Sequence, residues 1–143
     1  MSVEVLKVEK KINASPERLF RAWLNGRDFA RWFLADDRLH LGEVRLDPRP
    51  GGKFRIDMIV EGQLRPHEGE YNIVDEPRKL VFTWRSFMTQ DRDTLVTVQF
   101  AAEDNGTRIT IIHEQIPGEM EFNAHRDGWA GILSGLESFI RTA

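Results

Sequence analysis

Residues 123–143 constrain the fold more than any other stretch of this chain. Trp129, Ile132, Leu133, Leu136, Phe139 and Ile140 recur there at three- and four-residue intervals, with Arg126, Asp127, Ser134, Glu137 and Ser138 between them. That spacing draws one apolar stripe along a long amphipathic helix. Such a helix must bury its stripe against another layer. Most of the preceding chain, once past two short helical segments, alternates with the period of two that marks strands with one buried face. Sheet and helix therefore pack together. The functional question is whether they meet solidly or leave a pocket, and the aromatic and methionine-bearing inner faces favour a pocket.

In order, residues 3–12 alternate, with Leu6, Val8 and Ile12 on one side and Lys7, Glu9 and Lys11 on the other; Lys10 falls on the apolar side and weakens the pattern. Ser15-Pro16-Glu17 starts a helix, with a capping serine, a first-turn proline and an acid that complements the dipole. Leu19, Phe20, Trp23 and Leu24 form its buried face, and Asn25-Gly26 stops it. A second short helix carries Phe29, Trp32 and Phe33. Strands follow over residues 41–46, 53–60, 63–74, 79–85, 94–101 and 107–115, separated by turn clusters rich in Gly, Pro, Asp and Asn. Pro66 places the 63–74 strand at an edge or a bulge. Glu103-Asp104-Asn105-Gly106 reads as a four-residue hairpin connection. No repeat, linker or low-complexity tract interrupts the order, so residues 1–143 read as one α+β domain.

Composition narrows the function classes. The formal net charge is -3, with 20 basic and 23 acidic residues interspersed, so the basic stripe of a nucleic-acid binder is missing. There is no cysteine, which removes disulfides, thiolate metal sites and thiol nucleophiles. Residues 1–4 do not start a signal peptide, and no apolar run approaches the ~20 residues that cross a bilayer. A cytoplasmic protein without membrane insertion is the expectation. The four histidines, His40, His67, His113 and His125, lack metal-site spacing, so neither metal nor cofactor is expected. No nucleophile elbow, phosphate loop or dinucleotide fingerprint is present, and Gly51-Gly52 reads as a turn.

The run Ala14-Ser15-Pro16-Glu17-Arg18-Leu19-Phe20-Arg21-Ala22-Trp23 resembles the opening segment of a known family. Arg31-Trp32-Phe33, Gly51-Gly52-Lys53-Phe54, Gly69-Glu70-Tyr71 and Leu80-Val81-Phe82-Thr83-Trp84 resemble its later signatures, as do Gly106-Thr107-Arg108 with His113, and Gly128-Trp129 with Leu133. The chain is similar to bacterial single-domain members of the heat-shock-protein-90 ATPase activator-like group, within the START/Bet v 1 (SRPBCC) superfamily. The resemblance implies a helix-grip fold, in which a curved antiparallel sheet of about six to seven strands wraps the long C-terminal helix, often around an elongated apolar cavity. It also implies the binding of lipids, sterols or polyketides, with catalysis in a minority of members.

The resemblance places Trp32, Phe33, Trp84 and Trp129 near that cavity or its mouth, where an indole suits a wall. Phe20 and Trp23 read as core. Phe54, Ile56, Met58, Tyr71, Val98, His113 and Leu133 complete the expected ligand-binding set, with Met58 an adaptable surface. His113 is the one polar residue on an otherwise apolar strand face. It is either a satisfied core histidine or a ligand anchor or general acid/base. Catalysis would need a facing partner among Glu68, Glu70, Tyr71 and Glu114, and strict alternation turns Glu114 away. Arg65, Arg85 and Arg92 read as solvated, with one able to reach a ligand carboxylate at the rim.

The leading expectation is a monomer that binds a small hydrophobic or aromatic molecule, lipid-, polyketide- or flavonoid-like, between sheet and terminal helix. A cyclase or dehydratase using His113 is the alternative. A chaperone-associated stress-response role ranks last, because the domain that accompanies this one in the eukaryotic members is absent.

Overall fold

The computed structural model describes residues 4–33 and 39–142. Expectations that fall on Val3, at the start of the first strand, and on Ala143, at the end of the last helix, lie outside the described residues.

The elements follow the sequence pattern. Strand β1 (Leu6–Ile12) leads into helices α1 (Pro16–Leu24) and α2 (Gly26–Trp32). Strands β2 (Leu39–Leu46), β3 (Lys53–Val60), β4 (Gln63–Asp75), β5 (Lys79–Trp84), β6 (Thr94–Glu103) and β7 (Gly106–Glu114) follow, and α3 (Glu119–Thr142) ends the chain. A 3-10 turn, Phe87–Thr89, interrupts the β5–β6 connection. Ser15 caps α1 by accepting the Arg18 N–H at 3.1 Å. Asn25 stops α1 and also caps α2, accepting the Asp28 N–H at 3.1 Å. The last helix begins at Glu119, about one turn before the stretch from Asn123 that its sequence pattern marked out.

All seven strands form one antiparallel sheet in the order β1-β7-β6-β5-β4-β3-β2. Strands β2 to β7 are a run of hairpins. The first strand instead pairs with the last, Leu6 opposite His113 and Ile12 opposite Thr107, and α1 and α2 carry the chain to the opposite edge. The sheet curls around α3, which buries Trp129, Ile132, Leu133 and Leu136 against it. This is the helix-grip arrangement. Lys10, out of place in the alternation of β1, reaches across to Glu137 of α3 at 3.4 Å.

Two turn and edge expectations need correction. Strand β4 lies inside the sheet, between β3 and β5, so Pro66 does not mark an edge strand, nor does it sit at the β4 bulge between Tyr71 and Ile73. β4 outruns the much shorter β5. Pro66 has the parity of Glu68, whose N–H bonds the Arg85 carbonyl at 3.0 Å. Its missing donor therefore faces the side of β4 that β5 does not reach. The β6–β7 hairpin is tighter than expected, with Glu103 opposite Gly106. Its two-residue turn is Asp104-Asn105, at φ 44° and 66°, the left-handed pair that Asp and Asn tolerate best after glycine.

Gly69 of β4 lies directly across from Phe54 of β3. A Cβ there would meet the Thr83 carbonyl oxygen at 1.9 Å and the Phe54 ring at 2.5 Å. The missing side chain leaves room for the phenyl ring and for the backbone of β5. Gly69→Ala is expected to destabilise the fold by about 3 kcal/mol, read as a lowered urea midpoint at unchanged m-value.

Candidate functional site

The groove of the curled sheet is divided in two. The half beneath α1 and α2 is filled by aromatic rings. Phe29 stacks on Phe33 at 4.2 Å, and Trp23 meets Trp32 edge-on at 5.0 Å. The Trp32 N–H donates to the Ala22 carbonyl at 3.0 Å. From the sheet, Phe54 packs against Tyr71 and Phe82 at 5.4 and 5.5 Å. The gap these rings leave measures about 10 Å³, room for one water at most.

The other half is open. There α3 presents Ala124 and Gly128, one turn apart, and a cleft of about 190 Å³ remains between helix and sheet. Its floor is Trp84 and Trp129, whose rings meet at 5.3 Å. Leu39, Met58 and Val60 from β2 and β3 form one side, and Phe87 and Met88 from the 3-10 turn form the other. Of its lining residues, Phe87, 43% exposed, and Ala124 reach the surface. A Cβ built on Gly128 would find no atom within 4 Å. Nothing packed against the helix requires a glycine there, although glycine inside a helix costs roughly 1 kcal/mol relative to alanine.

Three histidines lie around this floor in different states. His113, fully buried, accepts the Trp129 N–H on Nδ1 at 3.0 Å. Its Nε2 lies 2.7 Å from Thr94 Oγ1, whose own proton goes to the Trp84 carbonyl at 2.6 Å. A hydroxyl has one proton to give, so Nε2 is the donor in that pair. His113 is therefore the neutral Nε2–H tautomer with both nitrogens engaged. Burial, with the nearby His125 in second place, pushes its pKa down to about 3.

His67 of β4 and His125 of α3 both line the cleft and are 7% and 9% exposed. Each is tied through Nδ1 to a backbone carbonyl, His67 to Arg65 at 3.0 Å and His125 to Glu121 at 2.8 Å. A carbonyl only accepts, so Nδ1 carries the proton and Nε2 is left with an open lone pair. Burial lowers the pKa of both, that of His67 to about 4. Among the described residues, Trp84 Nε1 is the one buried side-chain donor with no partner. Among them, too, no group of three or more His, Asp or Glu is placed to hold a metal ion.

Of the ligand-binding set read from sequence, Met58, Trp84 and Trp129 come together at the cleft. Phe33, Phe54, Ile56 and Tyr71 surround the small gap instead, with Trp32 packed behind them. Val98 and Leu133 are core, and His113 lies beneath Trp129. Tyr71 points inward, Glu68 and Glu70 are exposed, and Glu114 is half-buried beside His113 on the alternate face. Arg65 leans its guanidinium over Phe87 at 4.5 Å.

Sequence reasoning did not assign His67, His125, Ala124, Gly128 or Met88 to the site. Two signals were available. His125 precedes Trp129 by four residues and so shares its helix face. His67 has the parity of Tyr71, although the charges and proline of β4 hide that alternation.

A model of the family described as "Activator of Hsp90 ATPase homolog 1-like protein" matches residues 13–141. Among solved structures, a Chromobacterium violaceum protein is 24% identical, with a TM-score of 0.83 over 94% of this chain and 96% of that one. An AHSA1-like protein from Aeromonas hydrophila is 23% identical, with a TM-score of 0.81 over 97% and 93%. DynU16, described as a putative protein in the dynemicin biosynthetic locus, is 20% identical, with a TM-score of 0.77 over 96% of this chain and 47% of its own. These likenesses carry the fold. No curated protein matches the chain.

The histidine network generates a prediction with two readouts. His113→Leu strands the Trp129 N–H in the core and should cost about 2–3 kcal/mol. His113→Gln, able to accept and donate at once, should cost less in the same urea denaturation. The folded pKa values of about 3 and 4 for His113 and His67 lie below the unfolded value of 6.5. The unfolded chain thus binds more protons, and their contribution is complete above pH 6.5 and declines as pH falls toward 3. Each adds a slope of up to about 1.4 kcal/mol per pH unit, and His113→Gln should remove one such share between pH 6 and 4.

Proposed function

The chain belongs to the Activator of Hsp90 ATPase homolog 1-like family, and on that premise we propose that it binds a small, mostly apolar molecule in the cleft between Trp84, Trp129 and the Ala124–Gly128 face of α3. The observation that carries the reading is the cleft itself, open beside a densely packed aromatic core. The fold is one commonly used to bind ligands. A glycine on the cleft wall with free space around it is a feature that packing alone does not account for.

The volume limits the ligand. About 190 Å³ is below the ~300–1,000 Å³ of common ligand pockets and somewhat above the ~150 Å³ that accepts benzene. One aromatic ring or a short branched acyl group fits inside. A polycyclic, flavonoid-sized or long-chain molecule would leave part of itself outside, past Phe87. Binding is favoured over catalysis because His113 offers a substrate no free nitrogen. The likeness to DynU16 is a likeness of fold, so the reading rests on the cleft.

Toluene titrated into the methyl-labelled protein should shift the Met58 and Met88 methyl resonances and leave those of Val98 and Leu133 in place. Gly128→Leu should fill the cleft, abolish those shifts and raise stability by about 1 kcal/mol through helix propensity. Silent methionines at saturating toluene, or an unaltered response in the Leu variant, would remove the proposal.

A further inference from the structure

Among the described residues that line the cleft, the polar side chains other than the two indoles are His67 and His125. His67 Nε2 and His125 Nε2 are each left as an acceptor because Nδ1 is committed to a backbone carbonyl. Neither Nε2 has a hydrogen-bond partner among the described residues, and neither is among the sealed, unpartnered atoms of the interior, a group that holds only Trp84 Nε1. Both side chains are nine-tenths or more buried and line the cleft. The small part of each ring that is accessible therefore includes Nε2, and the cleft is the space it meets. The two residues stand on different layers, His67 on β4 and His125 on α3. His67 lies against the Trp84 ring at 5.1 Å, and His125 against His113 at 4.8 Å.

An apolar ligand would leave both lone pairs without water and without a donor, which costs roughly 1–3 kcal/mol for each buried group. The donor is taken to be uncharged, since no carboxylate is found among the described residues that line the cleft. Among neutral groups, a hydroxyl on an aromatic ring is a stronger donor than an alcohol, and one ring is what the volume admits. Resting on the ligand-binding reading above, we infer that the cleft selects a monocyclic phenol, whose ring lies on Trp84 and Trp129 and whose O–H donates to Nε2 of His67 or His125. A ring with two hydroxyls placed apart can satisfy both walls. The tautomers held by the Arg65 and Glu121 carbonyls are what keep the two imidazoles as acceptors. A protonated imidazole would have no lone pair to offer.

Phenol and toluene separate this inference from the reading beneath it, because they have nearly the same shape and differ in one donor. Toluene leaves water more readily, so any preference for phenol measures the hydrogen bond against the hydrophobic bias. Phenol should bind the full chain about tenfold more tightly than toluene in a calorimetric or methyl-shift titration at pH 7.5. His67→Leu with His125→Leu should bring the two probes to parity while toluene binding persists. In the unaltered protein, imidazole nitrogen resonances supply a readout that needs no variant. Phenol should move those of His67 and His125 more than that of His113, and toluene should move none of them strongly. Toluene binding as tightly as phenol, or phenol leaving both Nε2 resonances unmoved, overturns the inference and leaves apolar binding standing. Binding of neither probe overturns both.

Discussion

The indole N–H of Trp129 has to find an acceptor inside an apolar core, and the acceptor it finds fixes how the terminal helix sits. Nδ1 of His113 receives it, Nε2 of His113 donates to Thr94, and Thr94 donates to the backbone carbonyl of Trp84. This chain of three hydrogen bonds joins α3 to β7, β6 and β5 in the middle of the sheet. Apolar burial is non-directional, so a stripe of leucines alone would fix the rotation of the helix about its axis only loosely. A directional bond at one point of the stripe removes that freedom. With the roll fixed, the small residues Ala124 and Gly128 lie along the cleft with Met58 and His67.

The two halves of the groove show what is gained and given up. Beneath α1 and α2, Phe20 and Trp23 meet Phe100 of the sheet edge-on, and Phe33 meets Trp84 of the sheet and Trp129 of α3, so aromatic rings tie these helices to both layers. Beneath the first half of α3 the same sheet meets a glycine and an alanine, and its Met58, Trp84 and His67 side chains are left with a void above them. Filling that void is the simplest way to make the protein more stable. A binding site is a place where that stability has been forgone.

The histidines divide along the same line. His113 has a partner on each nitrogen and belongs to the structure. Among the described residues His67 and His125 have one each, through carbonyls of their own elements, and both line the cleft. Sequence alternation picked out His113 because it interrupts an apolar strand face. The same logic passed over His67, whose strand carries Arg65, Pro66, Glu68 and Glu70 around it. It also passed over His125, which sits before the apolar stripe of α3 begins.

Local pattern determined the order of elements, the caps at Ser15 and Asn25, the apolar faces and the presence of a helix gripped by a sheet, because each of these depends on residues within a few positions of one another. Lys10 and Pro66 looked like flaws in two strands. Each is explained by something distant, a carboxylate on α3 and the early end of β5. The division of the groove into a filled half and an open half was not legible in the chain. It depends on which side chains from seven strands and three helices converge on the same few cubic nanometres, and on the roll of one helix set by a single buried hydrogen bond. An aromatic residue looks the same in sequence whether it plugs a core, as Phe54 does, or floors a cleft, as Trp84 does. Only the packing around it decides.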